Sequence, residues 1–215
     1  MDFKPTEEQE FIRQAARDFA ESEIKPGASQ RDLDAEFPVD IVKQLGELGF
    51  MGIAIPEEWG GTGAGHMAYV MALEEICRVD AGVGVIMSVN NSLACEPLYK
   101  FGSDYIKEKF LKKLASGERL GSYALTESGA GTDAGAIKAT AIKDGNEYIL
   151  NGSKAFVTNG DSCDVTITYA KTDPEAPSGK GISALVVEKG TPGFNVGKHE
   201  EKLGIRCSDC VSMTF

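Results

Sequence analysis

The densest run of residues able to do chemistry is Tyr123-Ala124-Leu125-Thr126-Glu127-Ser128-Gly129-Ala130-Gly131-Thr132-Asp133, which is small, hydroxyl-bearing and rich in glycine. A glycine-rich turn after a strand exposes backbone N–H groups and lets a ligand approach closely. Composition alone leaves two readings open, a ligand-holding loop and an ordinary β-turn. Gly129, Gly131 and Gly135 do not form a dinucleotide fingerprint. That motif needs a helix opening at the glycines inside a βαβ unit, whereas Ile137 onward alternates as a strand. A second cluster runs from Asn151 to Gly160, a hairpin turn, a short strand with one aromatic, and another turn. Read alone, Phe156 is either a core residue or a cofactor stacker, and core is the commoner role for such an aromatic.

Other candidates are weaker. Cys207-Ser208-Asp209-Cys210 has C-x-x-C spacing, but zinc would need a second pair or histidines at ligand spacing, and His66 and His199 are the only histidines. A redox dithiol would open a helix after a strand, and this pair precedes a strand. There is no Gly-x-Ser-x-Gly elbow and no Walker sequence. Glu57-Glu58 and Glu74-Glu75 are adjacent pairs, whose members do not face each other on a helix, and they read as solvated faces.

The elements that must position these residues fall into two halves. The first is helical. Thr6 and Gln9 form a capping box, followed by Phe11, Ile12, Ala15, Ala16 and Phe19 at helical spacing, until Pro26-Gly27 ends the helix. Further helices span about Pro38–Leu48, Met67–Arg78 and Ala81–Phe101, and Ser103 caps a fifth with Ile106, Phe110 and Leu114 inward. Between them Ile55 to Gly63 is a breaker-rich loop. Near Gly121 the period changes to two. Strands are expected at 122–126, 137–142, 147–150, 154–158, 165–170, 182–187 and 211–215, separated by turns such as Asp144-Gly145-Asn146 and Asn151-Gly152-Ser153. The fold class is therefore α+β, an α-helical bundle over residues 1–120 followed by an antiparallel β-barrel or sheet domain over 121–215. The final run, Val211 to Phe215, alternates without a closing turn and reads as an unfinished strand.

With 215 residues, 42% hydrophobic and 26% charged, the chain has the composition of a globular protein rather than a disordered one. Its 22 Lys and Arg against 33 Asp and Glu leave a net charge of −11, which argues against a sequence-independent nucleic-acid binder. The five cysteines do not suggest a disulfide framework. No membrane span or secretory signal is legible, and a cytoplasmic setting is expected, or the mitochondrial matrix in a eukaryote.

Taken in order, these motifs resemble the acyl-CoA dehydrogenase family, most closely its short-chain, butyryl-CoA type members. The resemblance is carried by Thr6-Glu7-Glu8-Gln9, the loop from Gly49 to Gly63, Tyr123 to Asp133, Asn151-Gly152-Ser153-Lys154, Phe156 to Gly160 and Lys202 to Ser208, and it covers essentially the whole chain. It implies FAD as cofactor. By this resemblance the cofactor-binding residues are Tyr123, Leu125, Thr126, Gly131, Thr132, Phe156, Val157 and Thr158. Thr126 would donate near the pyrimidine edge, and N–H groups around Leu125 and Thr126 would stabilise the reduced flavin's negative charge. Phe156 would pack on the ring, Thr158 would bond near N5, and Thr132 would contact the flavin phosphates and the acyl-CoA substrate.

The implied reaction is α,β-dehydrogenation of a short-chain acyl-CoA to the trans-2-enoyl-CoA. A carboxylate takes the α proton, the β hydrogen leaves as hydride to the flavin, and electrons pass to an electron-transfer flavoprotein. In the family the base comes from a C-terminal helical domain, and no glutamate here matches it. The chain therefore reads as a fragment without a catalytic base, inactive alone, of an enzyme that is a homotetramer at full length. Ser128 departs from the family's usual proline. Two alternatives remain: an acyl-CoA oxidase or flavin monooxygenase on the same scaffold, and a non-catalytic binding or scaffold protein.

Overall fold

A computed structural model describes residues 4–177 and 179–215 and forms two compact units. One comprises the residues up to Leu120 together with Glu201–Ser208, and the other comprises Gly121–Glu200 with Asp209–Phe215. The eight residues Glu201–Ser208 thus belong to the helical unit.

In the helical unit α1 (Glu7–Phe19) opens at the expected capping box. The Gln9 N–H donates to the Thr6 hydroxyl at 3.2 Å, and the Thr6 N–H donates to the Gln9 side chain at 3.0 Å. Ala16 and Phe19 are buried as their spacing requires, but Phe11 faces solvent. Pro26-Gly27 does not end the helical path. The chain continues through a π turn at Ala20–Ile24 and a tight turn at Lys25–Gly27 into α2 (Ala28–Asp34). Proline lacks only an N–H that a first turn leaves unused, so Pro26 opens a new turn where the sequence reading placed a stop. α3 (Val39–Glu47) buries Ile41, Val42 and Leu45. The following loop closes on itself at Gly61, where a Cβ would stand 2.1 Å from the Ile55 carbonyl oxygen, so only glycine fits.

α4 (Gly65–Val79) is followed by α5 (Ala81–Ser88), whose first N–H groups are capped by Asp80 through Gly82 at 3.0 Å and Val83 at 3.3 Å. The expected single helix from Ala81 to Phe101 is interrupted by a π turn at Val89–Cys95 before α6 (Glu96–Phe101). That turn brings both Asn90 and Asn91 inward. The Asn90 amide donates to the Met51 and Leu114 carbonyls, each at 2.9 Å, and Asn91 accepts from the Ile53 N–H at 3.0 Å. Two buried amides thereby satisfy the backbone of the loop beside them. The last helical stretch comprises α7 (Asp104–Ile106), a π turn at Lys107–Leu111 and α8 (Lys112–Ala115), with Phe110 and Leu114 buried.

Glu75 corrects the reading of the adjacent acidic pairs as solvated faces. It is 4% exposed and accepts from Arg17 of α1 at 3.0 and 2.6 Å and from Arg78 at 3.2 Å. Arg17 holds the Glu75 carboxyl below the usual carboxylate range.

The β unit contains β1 (Gly121–Ala124), β2 (Thr140–Asp144), β3 (Glu147–Asn151), β4 (Ser153–Thr158), β5 (Val165–Lys171), β6 (Ile182–Glu188), β7 (Asn195–His199) and β8 (Cys210–Thr214). A five-stranded sheet has β5 at its centre, flanked along its length by antiparallel β6 and on its other edge by β1 and then β2, which carries β3. A three-stranded sheet runs β4-β8-β7. Among the described residues the strands form these two open sheets and no closed barrel. Pairing is mixed rather than wholly antiparallel: β1 lies parallel to β5, with Tyr123 opposite Ile167. β7 has no counterpart in the sequence reading, since its exposed and polar residues give no apolar alternation. Ala124, Val157, Cys163, Val211 and Met213 form a buried cluster against which Phe194 and Phe215 pack.

Candidate functional site

β4 is irregular where the second sequence cluster lies. Lys154 pairs with Met213 and Val157 with Val211, so two β4 residues stand opposite one on β8. This bulge changes the strand's parity. A regular strand would put residues 154, 156 and 158 on one face, but here Lys154 and Val157 are buried and Phe156 is turned out, 63% exposed. Phe156 holds a left-handed backbone, φ 55°, a conformation bulky residues rarely adopt. The reading of Phe156 as a core residue is thus overturned, because alternation cannot anticipate a bulge.

The first cluster is clamped against this strand. The Ala155 N–H donates to the Thr126 carbonyl at 2.8 Å. The Lys154 ammonium, buried with its whole side chain, donates to the Leu125 carbonyl at 3.0 Å and to the Glu127 carboxylate at 2.8 Å. Glu127 also accepts the backbone N–H groups of Lys138 at 2.7 Å and Ala139 at 3.0 Å. Beyond it the loop tip is closed by reciprocal bonds between Glu127 and Ala130, at 3.0 and 3.1 Å, with Ser128 and Gly129 at the turn. The serine in place of proline leaves this turn formed.

Electrostatics follow the geometry. Burial alone would raise the Glu127 carboxyl, but Lys154 and the two backbone N–H groups outweigh it and hold the group below its usual range. Burial pushes the Lys154 ammonium down, opposed by Glu127. Glu127 is therefore an ionised anchor that already accepts three hydrogen bonds, and it is not poised as a general base.

Tyr123 is half-buried on β1, its ring 5.2 Å from that of Tyr169. Leu125 and Thr126 are half-buried at the end of that strand, Gly131 and Thr132 are exposed further along the loop, and Thr158 is half-buried at the end of β4. Val157 points into the core, so only its backbone can meet a ligand. A Cβ on Gly129 or Gly131 would have no heavy atom within 4 Å, and neither glycine has positive φ. Nothing in the fold demands glycine there, which leaves open space for close approach of a ligand. The fold thus brings an outward aromatic, a backbone-clamped hydroxyl residue and an open glycine loop onto adjoining segments. The sequence reading missed Lys154 as the tie between the clusters, though a lysine at an inward strand position was the available signal.

Cys207 does not behave as a ligand or nucleophile. It is buried in the helical unit 3.6 Å from an Asp80 oxygen, and burial, then Asp80, pushes its thiol up to about 12.

The chain thus joins an α-helical unit to a mixed β unit in which a bulge sets an exposed aromatic on the strand that is bonded to the glycine-rich segment. The profile of the acyl-CoA dehydrogenase N-terminal domain matches residues 6–118 and that of the acyl-CoA dehydrogenase middle domain matches residues 122–215, and the chain belongs to the acyl-CoA dehydrogenase family. The short-chain specific acyl-CoA dehydrogenase of Clostridium acetobutylicum is 45% identical over 215 residues, covering 100% of this chain and 56% of that protein. Butyryl-CoA dehydrogenase of Megasphaera elsdenii superposes with a TM-score of 0.95 at 39% identity, over 100% of this chain and 57% of that one. A chain from a structure described as the electron transferring flavoprotein of Acidaminococcus fermentans superposes with a TM-score of 0.97 at 43% identity, over 100% of this chain and 56% of that one. The chain thus spans a little over half the length of these relatives. Among the described residues no helix is long and apolar enough to cross a membrane.

Proposed function

We propose that these residues form the flavin-holding face of a short-chain acyl-CoA dehydrogenase. The observation that carries this reading is the bulge that turns Phe156 outward one residue from Ala155, whose N–H is bonded to Thr126. Phe156 packs on the isoalloxazine ring, and Thr126 and Thr158 bond to its polar edge. The N–H groups at Leu125 and Thr126 face the pyrimidine side. Gly131 leaves room for the phosphates, and Thr132 serves both them and the acyl-CoA. Tyr123 and the Val157 backbone complete the wall. Bound FAD supplies the acceptor for the hydrogen that leaves the β carbon. The protein's part is to orient the thioester's Cα–Cβ bond and keep water away.

In the whole enzyme the product is the trans-2-enoyl-CoA, electrons pass to an electron-transfer flavoprotein, and the protomers form a tetramer in the cytoplasm or mitochondrial matrix. Glu127, committed to Lys154 and two amides, is not the acceptor of the α proton, and the family resemblance assigns that role to a carboxylate of a C-terminal helical domain. Anaerobic mixing of the FAD-loaded protein with butyryl-CoA tests this division of labour. Flavin absorbance is expected to persist, and bleaching by butyryl-CoA would contradict it.

A further inference from the structure

Lys154 is a charged side chain at 1% exposure in a strand position that methionine, of similar length, fills without burying a charge. Replacing a buried ion pair by apolar residues is often neutral or stabilising, so the pair needs a reason other than stability. Its geometry supplies one. In a planar trans peptide the C=O and N–H point in opposite directions. The 3.0 Å bond that draws the Leu125 carbonyl onto the Lys154 ammonium therefore turns the Thr126 N–H away from it. The next peptide is fixed in the same way, its carbonyl on the Ala155 N–H at 2.8 Å and its N–H on the Ala130 carbonyl at 3.0 Å. Glu127 supplies the counter-charge and ties the clamp to the backbone at Lys138 and Ala139.

We propose that Lys154 is a positioning residue for flavin reduction: its buried ammonium sets the Leu125–Thr126 peptide so that the Thr126 N–H meets the negative charge that develops on the reduced flavin's pyrimidine edge. The inference rests on the flavin-holding reading above. A donor fixed before the charge appears stabilises it without reorganisation. The oxidised ring carries less charge there, so the bond favours the reduced form, and losing it lowers the flavin potential.

The test compares dissociation constants for FAD and for dithionite-reduced FAD in the wild type, Lys154→Met and Glu127→Gln. The wild type is expected to prefer the reduced form. Lys154→Met is expected to lose about tenfold of that preference, a potential about 30 mV lower for a two-electron couple, while its affinity for oxidised FAD changes less. Glu127→Gln, which keeps size and weakens the clamp, is expected to shift the preference the same way by a smaller factor, and it decides alone if Lys154→Met does not fold. A folded variant that binds FAD with the wild-type preference overturns the role of Lys154 and leaves the flavin reading standing. A wild type that binds neither form overturns the flavin reading and this inference with it.

Discussion

Phe156 combines a left-handed backbone, φ 55°, with 63% exposure of a large apolar side chain. Each is unfavourable in isolation. A non-glycine residue in this region costs on the order of 1–3 kcal/mol and persists where function needs the side chain aimed. Gly131 is the converse, a small residue at a position with room for a larger one. Phe156→Gly relieves backbone strain but adds chain entropy, so stability should change by no more than about 1 kcal/mol. Lost ring packing should weaken FAD binding roughly tenfold. Gly131→Ala should leave the stability within about 0.5 kcal/mol of wild type and still reduce FAD affinity. Thermal melts and flavin titrations of both variants check this, and a variant whose stability falls while its affinity holds would reverse the assignment. The sequence motif announced both positions, but the outward turn of Phe156 comes from a one-residue bulge that no period-two pattern encodes.

At the scale of elements, α1 and α4 are joined by a buried carboxylate. Glu75 holds Arg17 across the two helices and Arg78 on its own. Both arginines are about half exposed, so solvent screening keeps the contribution of these bonds modest. The folded-state carboxyl is held below its unfolded value, so the stabilisation is present above about pH 4.3 and is lost as the pH falls through the folded value. Glu75→Gln should therefore be destabilised relative to wild type near pH 7, with the gap closing below about pH 4. A gap independent of pH in denaturant melts would contradict the ion-pair account.

Much of the helical pattern was legible because capping chemistry is local, as at Thr6 and Gln9, whereas Glu75 was hidden because its partner Arg17 is distant in sequence. α2 was obscured by Pro26-Gly27, whose ordinary meaning is a stop, and the π turn at Val89–Cys95 shifts phase inside a run that is apolar all round. β7 escaped because its side chains carry no alternation.

At the scale of the whole molecule, two units carry the chain, and the candidate site lies wholly within the β unit. Residues 121–200 with 209–215 bring the two sequence clusters together through one lysine and one backbone bond. That juxtaposition was invisible in the separate motifs, since Lys154 and Glu127 are joined only when β4 meets the end of β1. Amide NMR of the protein titrated with FAD tests the central claim most directly, because it maps even weak binding residue by residue. Shifts are expected at Thr126, Gly129, Gly131, Thr132, Phe156 and Thr158. No shifts at millimolar FAD, or shifts confined to the groove lined by Asp32, Leu33, Val79 and Ile205 in the helical unit, would contradict it.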